Sequence, residues 1–108
     1  MKRHKFNAKP TEVDGIRFAS KLEADRYQQL KMLERAGEIE GLELQPKFPF
    51  THNGVKIGSY IADFRYWDRL EGVHVVEDCK GVLTPVYRLK KKLMAAFYPD
   101  VTIEEITR

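Results

Sequence analysis

The stretch from residue 73 to residue 106 constrains the fold more than any other part of this chain. V-H-V-V-E-D-C-K (73–80) reads as a strand, and Gly81 ends it. Thr84-Pro85 follows, a hydroxyl N-cap with proline at the first helical position, where its missing N–H costs nothing. V-Y-R-L-K-K-K-L-M-A-A-F-Y (86–98) continues the helix, with Val86, Leu89, Leu93 and Phe97 as its apolar side, and Pro99 stops it. V-T-I-E-E-I (101–106) is a strand again. A helical crossover between two strands returns the chain as a parallel neighbour, which requires a sheet covered by helices. The fold class is therefore α/β.

The upstream half supplies the rest of the sheet. Ser20 is placed as the N-cap of a helix over residues 21–36, and Gly37 stops it. Leu22, Tyr27, Leu30 and Leu33 form its apolar stripe. In G-L-E-L-Q-P-K-F-P-F (41–50), Leu42, Leu44, Phe48 and Phe50 alternate as in a half-buried strand, and the two prolines mark an edge or a bulge. His52-Asn53-Gly54 is a hairpin turn leading to a second strand near residues 56–67, and Asp68–Gly72 is another turn. The predicted order is helix, three strands, helix, strand, as a mixed sheet flanked by helices. Residues 1–14 read as a basic, loosely ordered segment with a turn at Asp14-Gly15. Residues 15–108 read as a single domain.

Composition narrows the setting. The single cysteine, Cys79, excludes an intramolecular disulfide and favours an intracellular, cytoplasmic protein. No apolar run approaches the roughly 20 residues a spanning helix needs, so no membrane role is expected. The net charge is +3. Lys2, Arg3, Lys5 and Lys9 form one acid-free cluster, and Lys80, Arg88, Lys90, Lys91 and Lys92 form another. Such clusters attract phosphate backbones; the alternative is solvated helix surface and tail.

Three acids and a lysine stand where apolar residues are expected. Asp63 lies inside a strand of Tyr, Ile, Phe and Trp, where aspartate is depleted. Its side of that strand carries Ile57 and Ile61, which places it at the border of the core. Asp78 and Lys80 are two apart and share a strand face with Val76, while Glu77 and Cys79 point the other way. Two carboxylates from adjacent strands suit Mg²⁺ or Mn²⁺ with oxygen ligands, and the main-chain carbonyl of Cys79 could add another. Lys80 could orient a water or stabilise charge on a phosphate in the transition state. Glu23 borders the core-facing stripe of the first helix. Ser20-x-x-Glu23 is also a capping box, which alone explains both residues.

D-(about 15 residues)-D-x-K across a hairpin resembles the PD-(D/E)XK nuclease superfamily, whose core has the same element order. The finer resemblance is to a small, mostly phage-encoded family catalogued as a domain of unknown function. It rests on G-I-R-F-A-S-K-L-E-A-D-R-Y, L-Q-P-K-F, Y-I-A-D-F-x-Y, V-V-E-D-x-K-G and K-K-K-L, ordered blocks between residues 15 and 93. The superfamily proline before the first aspartate is Ala62 here. The resemblance implies a restriction-endonuclease-like core and Mg²⁺-dependent hydrolysis of DNA phosphodiesters to 5′-phosphate and 3′-hydroxyl ends. It implies Asp63 and Asp78 as metal ligands, Lys80 as a catalytic group and Glu23 as a further site acid. Recombination, repair or genome processing in a phage-infected host cell, on DNA that includes branched forms, would follow, as would a two-fold homodimer. Arg88, Lys90, Lys91 and Lys92 would follow the DNA backbone.

Other readings stay open. Asp63 and Asp78 could be salt-bridge partners of Lys80 or Arg65. Gln45 could reach the site or face solvent. His52, His74, Tyr60, Tyr66 and Trp67 read as turn, strand and core residues, and Cys79 as a small packing residue. A DNA-binding or assembly module that kept the fold without catalysis is the rival function, and a purely structural dimer module is a second.

Overall fold

The computed structural model describes residues 10–79 and 83–107. It begins with a hairpin, β1 (Thr11–Val13) and β2 (Ile16–Phe18), turned by Asp14 and Gly15 at φ 54° and 75°. Two left-handed residues in succession match the twist of a two-residue hairpin. The hairpin thus takes in residues 11–14, which the sequence assigns to the loose N-terminal segment. Helix α1 (Lys21–Arg35) starts where Ser20 Oγ accepts the Glu23 N–H at 3.1 Å, and Gly37, at φ 79°, turns the chain out of it.

The expected first two long strands are each broken in two. β3 (Ile39–Leu44) and β4 (Lys47–His52) are separated by Gln45 and Pro46; β5 (Val55–Ile61) and β6 (Phe64–Asp68) are separated by Ala62 and Asp63. Leu44 pairs with Phe64 and Lys47 with Ile61, so one register runs through both breaks. The two strands form one long hairpin that bends once. Pro46 has no N–H to offer a ladder and Gln45 takes φ 51°, which starts the bend. Backbone bonds hold it: Gln45 N–H to Asp63 C=O (3.0 Å), Ala62 N–H to Pro46 C=O (3.1 Å) and Asp63 N–H to Glu77 C=O (3.1 Å).

Between the two register shifts of the hairpin, from Leu42 to Phe50 on one arm and from Tyr60 to Tyr66 on the other, the even-numbered side chains face inward. Below the bend, Leu42, Leu44, Phe64 and Tyr66 pack with α1 residues Ala24, Tyr27 and Leu30. Beyond it, Phe48, Phe50, Tyr60 and Ala62 join a second core with Tyr87 and Met94. Ile57 and Ile61 are odd-numbered and exposed, at 56% and 57%. These two isoleucines therefore do not mark a core-facing side, and the half-buried Asp63 owes its place to the bend.

β7 (Val73–Cys79) pairs antiparallel with β6 and parallel with β8 (Val101–Ile106), giving the mixed order β3-β6-β7-β8. The crossover is α2 (Pro85–Phe97), capped by Thr84 Oγ1 on the Tyr87 N–H at 3.1 Å. Its buried face is not the expected stripe. Tyr87 and Met94 are buried, with Leu93 and Phe97 packed beside them, while Val86 and Leu89 are exposed at 62% and 58%. The helix is rotated so that the phenol at 87, rather than its aliphatic neighbours, enters the core. Among the described residues no helix is long and apolar enough to cross a membrane.

Ala62 is buried and its N–H is spent on the bend. Proline at this position, Ala62→Pro, should cost about 1–3 kcal/mol by orphaning the Pro46 carbonyl. Urea unfolding reads this as a lower midpoint. An unchanged midpoint would count against the bend as described.

Candidate functional site

β7 runs through the middle of the sheet, and Val75 to Cys79 are all buried. Alternation sends Glu77 and Cys79 to the α1 side and Val76 and Asp78 to the α2 side. Each buried acid therefore meets a different set of partners.

Glu77 is held as a structural ion. Arg26, from α1, grips it with Nε to Oε1 at 2.7 Å and Nη2 to Oε2 at 2.6 Å, and Tyr66 donates its hydroxyl to the same carboxylate. A bidentate guanidinium with a third donor fits a buried carboxylate well. Bonding to Glu77 raises the Arg26 pKa, and burial followed by the bond to Glu77 raises that of Tyr66. Sequence reasoning missed Arg26, although a glutamate inside V-V-E-D already demands a donor.

Asp78 meets Tyr60, whose hydroxyl donates to Oδ2. Burial first, then this bond, pushes the Tyr60 pKa up, and the field of Asp63 adds to it. Tyr60 packs as the expected core aromatic and also aims a strand carboxylate. Asp63 stands one step past the last ladder pair, Phe64↔Glu77, and Asp78 one step past it on the other strand. Its Oδ2 accepts the Cys79 N–H at 2.7 Å. Arg65, the alternative partner considered for these aspartates, reaches Glu43 at 4.0 Å and lies over the Phe48 ring.

Glu23 is buried in the first turn of α1. Its backbone N–H serves the Ser20 cap. Burial above all, then the fields of Asp63, Glu23, Glu77 and Asp78, pushes the Cys79 thiol pKa up to about 12. Asp63 and Asp78 thus stand at the end of β7, with Glu23 close enough for its charge to act on Cys79. Lys80, the next residue, lies outside the described residues. Gln45 has an exposed side chain and contributes its backbone to the bend.

The four cations of α2 do not share one face. Arg88, Lys91 and Lys92 are exposed and Lys90 is half-buried. Lys91 pairs with Glu105 at 3.0 Å, where Tyr87 also donates at 2.9 Å. Lys90 instead lines a groove of about 260 Å³ with Ser59, Tyr60, Thr84 and Tyr87.

Two outcomes test this description. Arg26→Ala leaves the Glu77 carboxylate buried without its cation and should cost about 3–5 kcal/mol, whereas Arg26→Met with Glu77→Leu should recover most of it. Equal unfolding midpoints for wild type and Arg26→Ala would remove the structural role. For Cys79, burial favours the neutral thiol, so the folded pKa lies above the ordinary value near 8.5. At pH 8 the native thiolate fraction is then only about 10⁻⁴. Alkylation by iodoacetamide at that pH should be far slower in the native protein than in urea; matching rates would place the thiol elsewhere.

Among curated proteins none matches the chain. One family model does, over residues 3–108, and it takes in β7 and all three acids, Glu23, Asp63 and Asp78. The chain belongs to the family described as a protein of unknown function, DUF1064.

Proposed function

We propose that this protein is a metal-dependent DNA nuclease with a restriction-endonuclease-like core. The observation that carries the reading is the placement of Asp63, one residue before β6, and Asp78, one residue past Glu77, the partner of Phe64, beside the bend of the hairpin. The parallel β7–β8 pair with its α2 crossover, and α1 on the other face, supply the element order such a core needs.

The donor set suits a hard cation. Asp63, Asp78 and the Cys79 carbonyl offer only oxygen, and Mg²⁺ or Mn²⁺ is commonly held by one or two carboxylates while keeping several waters. Among the described residues no group of three or more His, Cys, Asp or Glu is placed to hold a metal ion, so the reading rests on the two aspartates. When bound, such a cation activates water and neutralises charge that develops on phosphate.

The chain's own residues do the positioning. Tyr60 fixes one oxygen of Asp78, and the Cys79 N–H fixes one oxygen of Asp63. Partners of this kind orient carboxylates for ligation. Glu23 adds negative charge from the α1 side. Lys80 follows Cys79 directly in the sequence and lies outside the described residues. The D-x-K pattern assigns its ammonium the role of orienting the attacking water and stabilising the phosphate in the transition state.

The deciding experiment is cleavage of linear, nicked, flap and four-way-junction DNA with Mg²⁺ or Mn²⁺. Asp78→Asn keeps an acceptor for Tyr60 and should lose cutting together with cation binding. Lys80→Ala should bind DNA as well as wild type but cut about 10²–10³ times more slowly. Lys80→Arg should not restore the rate, because guanidinium is larger and holds its proton. Wild-type rates in Lys80→Ala would overturn the assignment. DNA binding without cutting on any substrate would favour the non-catalytic module.

A further inference from the structure

We propose that the groove between β5 and the first turns of α2 seats a single phosphate of the DNA strand, the neighbour of the one being cut, with Lys90 as its cation. That the neighbouring phosphate is the cut one rests on the nuclease reading. The groove itself rests on separate observations.

The first is position. Tyr60 lines the groove and gives its hydroxyl to Asp78, so the groove opens directly beside the acid site. A strand whose phosphate lies at the acids must run on past this wall or away from it, and the groove offers the continuation.

Charge is the second. None of the groove-lining residues is acidic, and among the described residues Lys90 makes no ion pair. Its neighbour Lys91 is already matched by Glu105. A half-buried ammonium in a groove whose described lining residues include hydroxyls and no acid is complementary to an anion. Along one strand the nearest further charge is the adjoining phosphate.

The third is chemistry and size. Ser59 and Thr84 present hydroxyls, and Thr84 still has its proton to donate because its oxygen accepts from Tyr87 N–H. Ile61 and Val86, both exposed and apolar, stand at the lips, where the carbon face of a deoxyribose can rest. A groove of about 260 Å³ admits one backbone unit and not a duplex. Tyr60 and Tyr87 are buried, so they form the floor and do not offer faces for base stacking. The groove should therefore follow the backbone and be indifferent to sequence.

Fluorescence anisotropy of the full-length chain with labelled DNA, in Ca²⁺ to prevent cutting, tests this. Lys90→Met keeps the stem and removes the charge. The slope of log affinity against log salt should fall by about 0.9, the loss of one phosphate contact. Single methylphosphonate substitutions along the strand should reveal one position that weakens wild type but not Lys90→Met. Where wild type cuts, that position should adjoin the cut. An unchanged slope, or the same methylphosphonate penalties in both proteins, overturns the groove even if the enzyme cuts. The predicted coupling without any cutting keeps the groove and rejects the nuclease reading. No binding of DNA by wild type overturns both.

Discussion

Glu77 and Asp78 are neighbours in the middle strand of a sheet, and both are buried. Two adjacent carboxylates cannot share one apolar environment without raising each other's cost, and a strand solves this by sending them to opposite faces. Both faces must then supply hydrogen-bond donors. On one, α1 brings Arg26 and β6 brings Tyr66; on the other, the distal half of the hairpin brings Tyr60. The helix position, the sheet register and the fold-back of β4 and β5 all serve that division.

The bend in the long hairpin is the second consequence. Without it the inward face of β4 and β5 would continue over the α1 core, and Tyr60 could not reach the far face of β7. Gln45 and Pro46 redirect the chain, and the same even-numbered face passes from one core to the other. Asp63 sits at the point where the direction changes. It is one residue beyond the β6 ladder, and its side chain turns back to the Cys79 N–H.

Local patterns were legible in the sequence wherever a short-range rule decides. Ser20 and Thr84 cap helices as read, Asp14-Gly15 and Asn53-Gly54 make turns, and period two separates Asp78 from Glu77. The strand–helix–strand run at the C-terminal end does give a parallel pair. What escaped depends on distant partners. Pro46 signalled an irregularity, but only the second core decides that the whole hairpin folds at it. In α2 the stripe 86–89–93 and the stripe through 87 and 94 are both available, and the aromatic wall of Phe48, Phe50 and Tyr60 selects the second. The sequence places Asp63 at the core border because Ile57 and Ile61 share its parity, yet both isoleucines are exposed. The Arg26–Glu77 pair spans 51 residues, beyond any local rule.

The two faces of β7 differ in what they do to charge. Arg26 cancels that of Glu77 in a bidentate grip, and a cancelled, fully buried carboxylate has little left to offer a cation or a phosphate. The Tyr60 phenol does something different for Asp78: it fixes direction and leaves the negative charge in place, since burial holds its proton on the oxygen. Asp63 is fixed the same way by a neutral backbone N–H. A strand that needed only stability would do better with an apolar residue at 78, because a buried acid carries a desolvation cost. The bonds thus differ between the two faces: a bidentate guanidinium closes around Glu77, while a phenol and a backbone N–H set the directions of Asp78 and Asp63.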